Sequence, residues 1–305
     1  MGRYILKRIF SSVITIWFIM TLTFILMKSI PGDPFVSERA MTPQVKAAVY
    51  AKYGLDKPEF EQYLTYMTNF LKGDFGVSFN RIGLTTQDII KGGFPYSLKI
   101  GGWASLFIIV VGIFLGIIAA LRQNKVSDRT VMFISTLGAT IPSFVFATGY
   151  LYFFSKKLGW APSFGVGSWK HFVGPVICIG MFSLSYVTRL TRTSVLDVLQ
   201  QDYIRTARAK GLSEFVVIGK HALRNALIPV VTYIGPMIAG IVTGSFVIEK
   251  VFGIAGIGSL FTTSILGRDY TLIMGITVFF GIFLVTAVLI VDIVYVLIDP
   301  RIKYD

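Results

Sequence analysis

The sequence predicts an all-α fold: a polytopic membrane protein with six transmembrane helices, a small helical extracytoplasmic cap and a cytoplasmic loop with short helices of its own. Two observations predict it. Hydrophobic residues make up 54% of the 305 and charged residues 15%, with a mean hydropathy of +0.70. Soluble domains carry roughly 25% charge, and lipid accepts apolar surface that a soluble core could not hide. Second, apolar stretches of bilayer-spanning length recur at 9–30, 98–121, 131–154, 172–187, 229–248 and 272–298.

Six spans place both termini on one side, and the flanking charges say which. Arg3, Lys7 and Arg8 precede span one, and Arg122, Lys125 and Arg129 follow span two. Arg189, Arg192, Arg205, Arg208, Lys210, Lys220 and Arg224 lie between spans four and five, and Arg301 and Lys303 close the chain. The opposite short loops hold Lys156, Lys157, Lys170, Lys250 and Arg268. Short loops rich in Lys and Arg stay in the cytoplasm, so both ends are expected there. The first span is too long for a cleaved secretory signal and is expected to remain. The formal charge of +13 therefore reads as topology; no basic stripe interleaved with aromatics points to nucleic acid.

Residues 1–30 are thus the N-terminal cytoplasmic end and first helix, 31–96 an extracytoplasmic helical region, and 97–305 spans two to six. In the outer region Thr42 and Pro43 open a helix that Gly54 ends. Asp56 and Glu59 form a capping-box pattern before Phe60, Tyr63, Leu64, Met67, Phe70 and Leu71, six apolar residues at helical spacing, and Gly73 stops the helix. A third short helix is expected after Thr86. The cap reads either as a lid on its own spans or as a docking surface for an external partner.

Within the spans small residues recur four apart: Gly112, Gly116 and Ala120; Ala139, Ser143 and Ala147; Gly235, Ala239 and Thr243. Such faces let helix backbones approach closely. Pro142 and Pro175 mark kinks or helix ends that face protein.

Several chemistries have no motif here. The chain has no GxxxxGK[ST] loop for ATP, no HExxH and no GxSxG. Cys178 is the single cysteine, and His171 and His221 sit in different regions, so no metal-ligand set is apparent. Lys28 and Lys99 lie at span ends, and Asp292, near the inner end of span six, is the one candidate for an intramembrane ion site.

The loop at about 189–228 is the most informative stretch. Leu196, Leu199, Tyr203 and Ala207 repeat at three and four, predicting an amphipathic helix that Gly211 ends. Ser213 is placed to cap a second helix, with Glu214 in its first turn and Phe215, Ile218, Ala222 and Leu223 following, before Pro229 opens span five. Spacing leaves two readings open. A helix–Gly–helix elbow fixed between two spans can pass force from a cytoplasmic partner; an amphipathic helix can also lie on the anionic inner leaflet.

The stretch Asp202-Tyr203-Ile204-Arg205-Thr206-Ala207-Arg208-Ala209-Lys210-Gly211-Leu212-Ser213-Glu214 resembles the EAA loop of ABC importer permeases. It continues as Lys220-His221-Ala222-Leu223-Arg224-Asn225-Ala226-Leu227-Ile228-Pro229. Arg205-Thr206-Ala207 in place of Glu-Ala-Ala, and the late Leu227-Ile228-Pro229, look most like the dipeptide, oligopeptide and nickel branch. Pro31-Gly32-Asp33-Pro34, Tyr53-Gly54-Leu55-Asp56-Lys57-Pro58, Gly73-Asp74-Phe75-Gly76 and Arg268-Asp269-Tyr270 agree with it; Ala255-Gly256 departs from the family's Pro-Gly.

The resemblance implies a non-enzymatic permease in the inner or plasma membrane of a prokaryote, forming half of a pathway for oligopeptides. Its implied partners are a homologous second permease, two cytoplasmic ATPases that bind the ATP and Mg, and an extracytoplasmic peptide-binding protein. Tyr203, Arg205, Thr206, Ala207, Arg208, Ala209, Lys210 and Gly211 would form the coupling helix in an ATPase groove. Ser135, Thr136, Thr140, Ser183, Thr232 and Thr243 are the candidates for the pathway lining, although each can instead bond back to its own helix. A secondary transporter or channel that works without an ATPase is the alternative.

Overall fold

The computed structural model describes residues 2–29, 43–81 and 83–298 of the chain. The described residues are helices joined by short turns, with a single isolated β-bridge between Val77 and Thr85. Thr42 and the 31–34 motif lie outside the described residues, as do the side chains of Arg3 and Asp292 and the C-terminal Arg301 and Lys303.

Helix α1 (Gly2–Ser29) is the first span, and α2 (Pro43–Tyr53) and α3 (Glu59–Leu71) form the cap. Then come α4 (Thr86–Leu121), α5 (Val126–Thr140) and α6 (Ser143–Tyr150), the last running on as a π-helical turn, Leu151–Lys157. Helix α7 (Lys170–Leu199) leads into the loop helices α8 (Asp202–Ala209), α9 (Glu214–Val216) and α10 (Leu223–Ala226), with a π-helical turn, Val217–Ala222, between the last two. The chain returns through α11 (Ile228–Val242), α12 (Phe246–Val251), α13 (Ile257–Leu266) and α14 (Tyr270–Ile298). Among the described residues five helical stretches are long and apolar enough to cross a membrane, α11 and α12 together (Ile228–Val251) being one of them, and the bent α5–α6 pair makes a sixth if it is one span.

Three expectations change. The helix expected after Thr86 does not stop; it is the first part of the 36-residue α4, whose first turn Thr85 caps by accepting from the Asp88 amide. Span three breaks at Ile141–Pro142, where the chain bends by 104°. Proline at 142 cannot donate to the preceding turn and biases Ile141 to extended backbone, φ −79° and ψ 125°. That bend separates Ala139 from Ser143 and Ala147, and the small residues α5 buries are Ser135 and Gly138. Span four extends to Leu199, and Pro175 sits inside it without ending it. Span five, expected over 229–248, runs through α11 and α12 as Ile228–Val251, with a turn at 243–245, and α13 follows as a shorter apolar helix.

The Gly112–Gly116–Ala120 stripe does set the central packing. A Cβ at Gly112 would lie 2.9 Å from Val187 Cγ1 and one at Gly116 2.5 Å from Thr191 Cβ, so α4 and α7 meet backbone to backbone. Ile108 and Val187 are fully buried there with Val230 of α11. Helix α1 rests on α14, and its Leu6, Phe10, Trp17 and Phe18 stay exposed, as lipid-facing positions require.

The cap is bound to the starts of the spans. Tyr63 Oη and Thr21 Oγ1 share a hydrogen bond of 2.8 Å, the Phe24 and Tyr63 rings meet edge-on at 5.4 Å, and Lys28 donates to Gln62. The buried Asp269 carboxylate accepts from Ser78 Oγ, from the Phe79 amide at 3.1 Å and from the Asn80 amide at 3.3 Å. It also caps α14 by accepting from the Leu272 amide at 3.2 Å. The Asp56–Glu59 capping box does not form: Pro58 occupies the N-cap of α3, and Glu61 pairs with Lys57 instead, holding that ammonium's pKa above its usual value. Burial likewise raises the Tyr66 phenol. Of the six apolar residues predicted for one face of α3, Phe60, Leu64 and Leu71 remain exposed.

Candidate coupling surface at the loop end

The C-terminal end of α4 and the loop helices lie together, opposite the cap. Ala120, Val195 and Ala226 form one buried cluster there, whereas the N-terminal half of α4 packs on α13 and α14 beside the cap. Helix α8 is anchored by one narrow side. Ile204 is fully buried and Ala207 nearly so, against Val217, Ala222, Val198 and Leu199. The predicted face differed by one register: α7 ends at Leu199, the chain turns at 200–201, and α8 starts a new helical phase. Tyr203 is therefore outside the buried side, and its Oη accepts from Asn225 Nδ2 at 2.9 Å, tying α8 to α10.

The end of α8 follows from Gly211. Its φ of +79° is a left-handed conformation that costs glycine little. The Gly211 amide donates to Arg208 O at 2.9 Å and the Leu212 amide to Ala207 O at 3.4 Å, which is the Schellman pattern. Ser213 stands at the N-cap of α9 with no side-chain bond; Glu214 spans the turn to Arg208 with contacts of 2.8 and 3.4 Å. The elbow is thus closed by backbone geometry and one ion pair. On its free side Arg205, Thr206, Ala209, Lys210 and Gly211 are exposed. Phe215 of α9 is 88% exposed, and Leu212 39%.

Behind the elbow, Arg192 of α7 makes a two-point contact with Asp128 of α5, Nε–Oδ1 at 2.6 Å and Nη2–Oδ2 at 2.8 Å. Asp128 also accepts from the Asn124 amide at 2.9 Å. The sequence reading missed this pair because 64 residues separate its members.

Of the six pathway candidates, Ser135 and Ser183 are buried, while Thr136 and Thr140 of α5 and Thr232 of α11 are exposed. The hydroxyls of Thr136, Thr140, Thr232 and Thr243 donate to carbonyls of their own helices, at 2.9, 2.8, 2.9 and 2.6 Å.

Residues 112–304 match the family described as binding-protein-dependent transport system inner membrane component, and residues 1–87 match its N-terminal family. The chain belongs to this permease family. Among relatives, it is similar to the dipeptide transport system permease protein DppB of Bacillus subtilis, 45% identical over 99% of this chain and 98% of that one. It is 44% identical to the oligopeptide transport system permease protein OppB of Haemophilus influenzae and 40% to OppB of Escherichia coli K12, over the full length of each. A solved structure described as inward-facing conformations of the MetNI methionine ABC transporter aligns with a TM-score of 0.59 at 17% identity. That alignment covers 70% of this chain and 97% of the other, so this permease shares its fold.

Proposed function

We propose that this chain is one permease subunit of an ATP-driven importer of peptides, with α8 as the helix that receives force from a cytoplasmic ATPase. The observation that carries the reading is the elbow itself. Its inner side is locked by Ile204 and Ala207, its outer side is free and basic, and it joins a 30-residue helix directly. Full-length similarity to dipeptide and oligopeptide permeases supports peptides as the substrate class. On this reading the chain spans the inner or plasma membrane, the loop end and both termini are cytoplasmic, and the cap is outside. A homologous second permease completes the pathway, two ATPases hold ATP and Mg, and an external binding protein delivers peptide. The exposed Phe60, Leu64 and Leu71 of α3 suit a docking role for that protein. Closure of the ATPases displaces α8, and the α4–α7 contact and the Asp128–Arg192 pair carry the displacement as one body, turning the pathway from inward- to outward-facing.

Replacing Gly211 tests the coupling role. Nothing lies within 4 Å of a Cβ there, so a side chain has room but disturbs the left-handed turn. Gly211→Trp is expected to insert normally yet abolish peptide uptake and loosen ATPase retention on purification. Gly211→Asn, which tolerates that conformation better, should keep a measurable fraction of both. Wild-type uptake by Gly211→Trp counts against the proposal.

A further inference from the structure

The side of α7 that faces away from α4 is left open by the described residues. Gly112 and Gly116 of α4 meet Val187 and Thr191, and Gly138 of α5 meets Met181 and Ser185. What remains of the helix surface is the stripe Phe182, Tyr186, Arg189 and Thr193, spaced at four, three and four. Tyr186 is 43% exposed. It lies sixteen residues after Lys170 and thirteen before Leu199, about 20 Å or more from either end of the helix at 1.5 Å per residue, which is near mid-depth of a bilayer. Its ring meets that of Tyr233 of α11 at 4.3 Å, and among the described residues none bonds to its hydroxyl. Arg189, one turn towards the elbow, pairs with no carboxylate among the described residues.

Helix α11 continues the same surface. Beside Tyr233 its exposed positions are Pro229, Thr232, Pro236 and Gly240, a stripe without one large apolar side chain; Ile228 and Val231 are exposed on the other side of the helix. A Cβ at Gly240 would meet nothing within 4 Å. Pro236 brings no N–H to the Thr232 carbonyl one turn back. The exposed faces of α1 and α4 are of another kind, with Phe10, Trp17 and Phe18 on the first and Trp103, Val110 and Phe114 on the second. Those suit lipid. A phenol hydroxyl and a main-chain carbonyl without partners are costly in hydrocarbon, and an unpaired guanidinium within a span faces water or protein. Close helix–helix contacts in membranes favour small residues on both sides, whereas the α7 stripe offers two aromatic rings and an arginine. The surface is therefore suited to water and to an occupant that changes.

We propose that this α7–α11 face is a wall of the peptide pathway, and that Tyr186 touches the passing peptide through its hydroxyl. The inference rests on the proposed transport of peptides and names the surface that serves it. A phenol both donates and accepts, so it can bond to the N–H and C=O groups that every peptide carries. The rings of Tyr186 and Tyr233 meanwhile give apolar side chains a surface to pass over. Contact of this kind reads the main chain and favours no particular sequence.

Two measurements test it. Cys178 is the single cysteine, so a Cys178→Ala background carries one introduced thiol at a time. The probe is methanethiosulfonate ethyltrimethylammonium, a charged reagent that does not cross membranes, applied to the assembled complex in right-side-out and inverted vesicles. Tyr186→Cys should react about tenfold faster or more than Val110→Cys, because a thiol in lipid stays protonated and the cation stays out. Val110 is 58% exposed on α4, two residues from Gly112 and so at the depth of Val187, but on an apolar face. Rates as slow as those of Val110→Cys in both orientations, at rest and during ATP turnover, overturn the wall. Gly240→Cys supplies a second thiol on the same face should Tyr186→Cys not assemble. The second measurement is uptake by Tyr186→Phe, which removes a hydroxyl that holds nothing within the chain. The saturated rate should fall about threefold to tenfold, the scale of one hydrogen bond, and by one common factor for trialanine, trilysine and triglutamate. Wild-type rates, or a loss confined to one of the three, overturn the main-chain contact. Labelling requires neither ATP nor transport, so fast labelling together with uptake that ignores ATP upholds the wall and counts instead against the ATP-driven reading.

Discussion

Asp128 and Arg192 show what single residues contribute to this chain. The aspartate side chain is 4% exposed and the arginine 22%, and the paired geometry leaves neither charge without a partner. Removing one member strands the other, which costs roughly 3–5 kcal/mol for a buried pair. Asp128→Ala should therefore lower the unfolding temperature of the purified protein in detergent by several degrees. The double variant Asp128→Ala/Arg192→Leu should recover part of that loss, because it removes the stranded cation as well. Equal unfolding temperatures for wild type and Asp128→Ala would sink the idea that this pair braces α5 against α7. Neither residue stood out in the sequence, because each reads as an ordinary flank charge and only the tertiary fold joins them.

At the scale of elements, the legible features were those whose cause is local. Gly112, Gly116 and Ala120 fall four apart on an unbroken helix, so their shared face could be read directly, and Gly211 was recognisable as a stop because its conformation suits glycine. Features that depend on where a helix restarts were misread. Tyr203 was placed on an apolar face by running one helical phase through residues 200–201, and Ala139, Ser143 and Ala147 were joined across the Pro142 bend. The cap's attachment was equally hidden, since Asp269 meets Ser78, Phe79 and Asn80 across 189 to 191 residues. With those acceptors removed, the 78–80 turn loses its hold on the start of α14. Asp269→Ala is thus expected to raise amide hydrogen exchange at Phe79 and Asn80 by about tenfold or more, with the α4–α7 helices unchanged. Protection equal to wild type at both amides would mean that other contacts, among them the Asn80 Nδ2–Gly267 O bond of 2.8 Å and the ring contact of Phe79 with Tyr53, hold the turn without the carboxylate.

For the whole molecule the decisive property is polarity: a cap at one end, a basic elbow at the other, and apolar helices between. The two ends differ in the side of the membrane to which they offer protease sites. Lys72 and Arg81 are exposed at the cap, and Arg205 and Lys210 at the elbow. Lys and Arg in short loops resist translocation, which is the ground for proposing that the elbow is cytoplasmic. In sealed right-side-out vesicles trypsin should then cut after Lys72 or Arg81 and leave the 205–210 segment whole; in inverted vesicles the pattern should reverse. Retention of the ATPases should further shield Arg205 and Lys210 in the inverted preparation, and stripping the ATPases should restore cleavage there. An elbow that lies on lipid instead would be shielded equally before and after stripping. Sidedness and shielding therefore answer separate questions from one digest, the first fixing the orientation of the fold and the second showing what its basic surface touches.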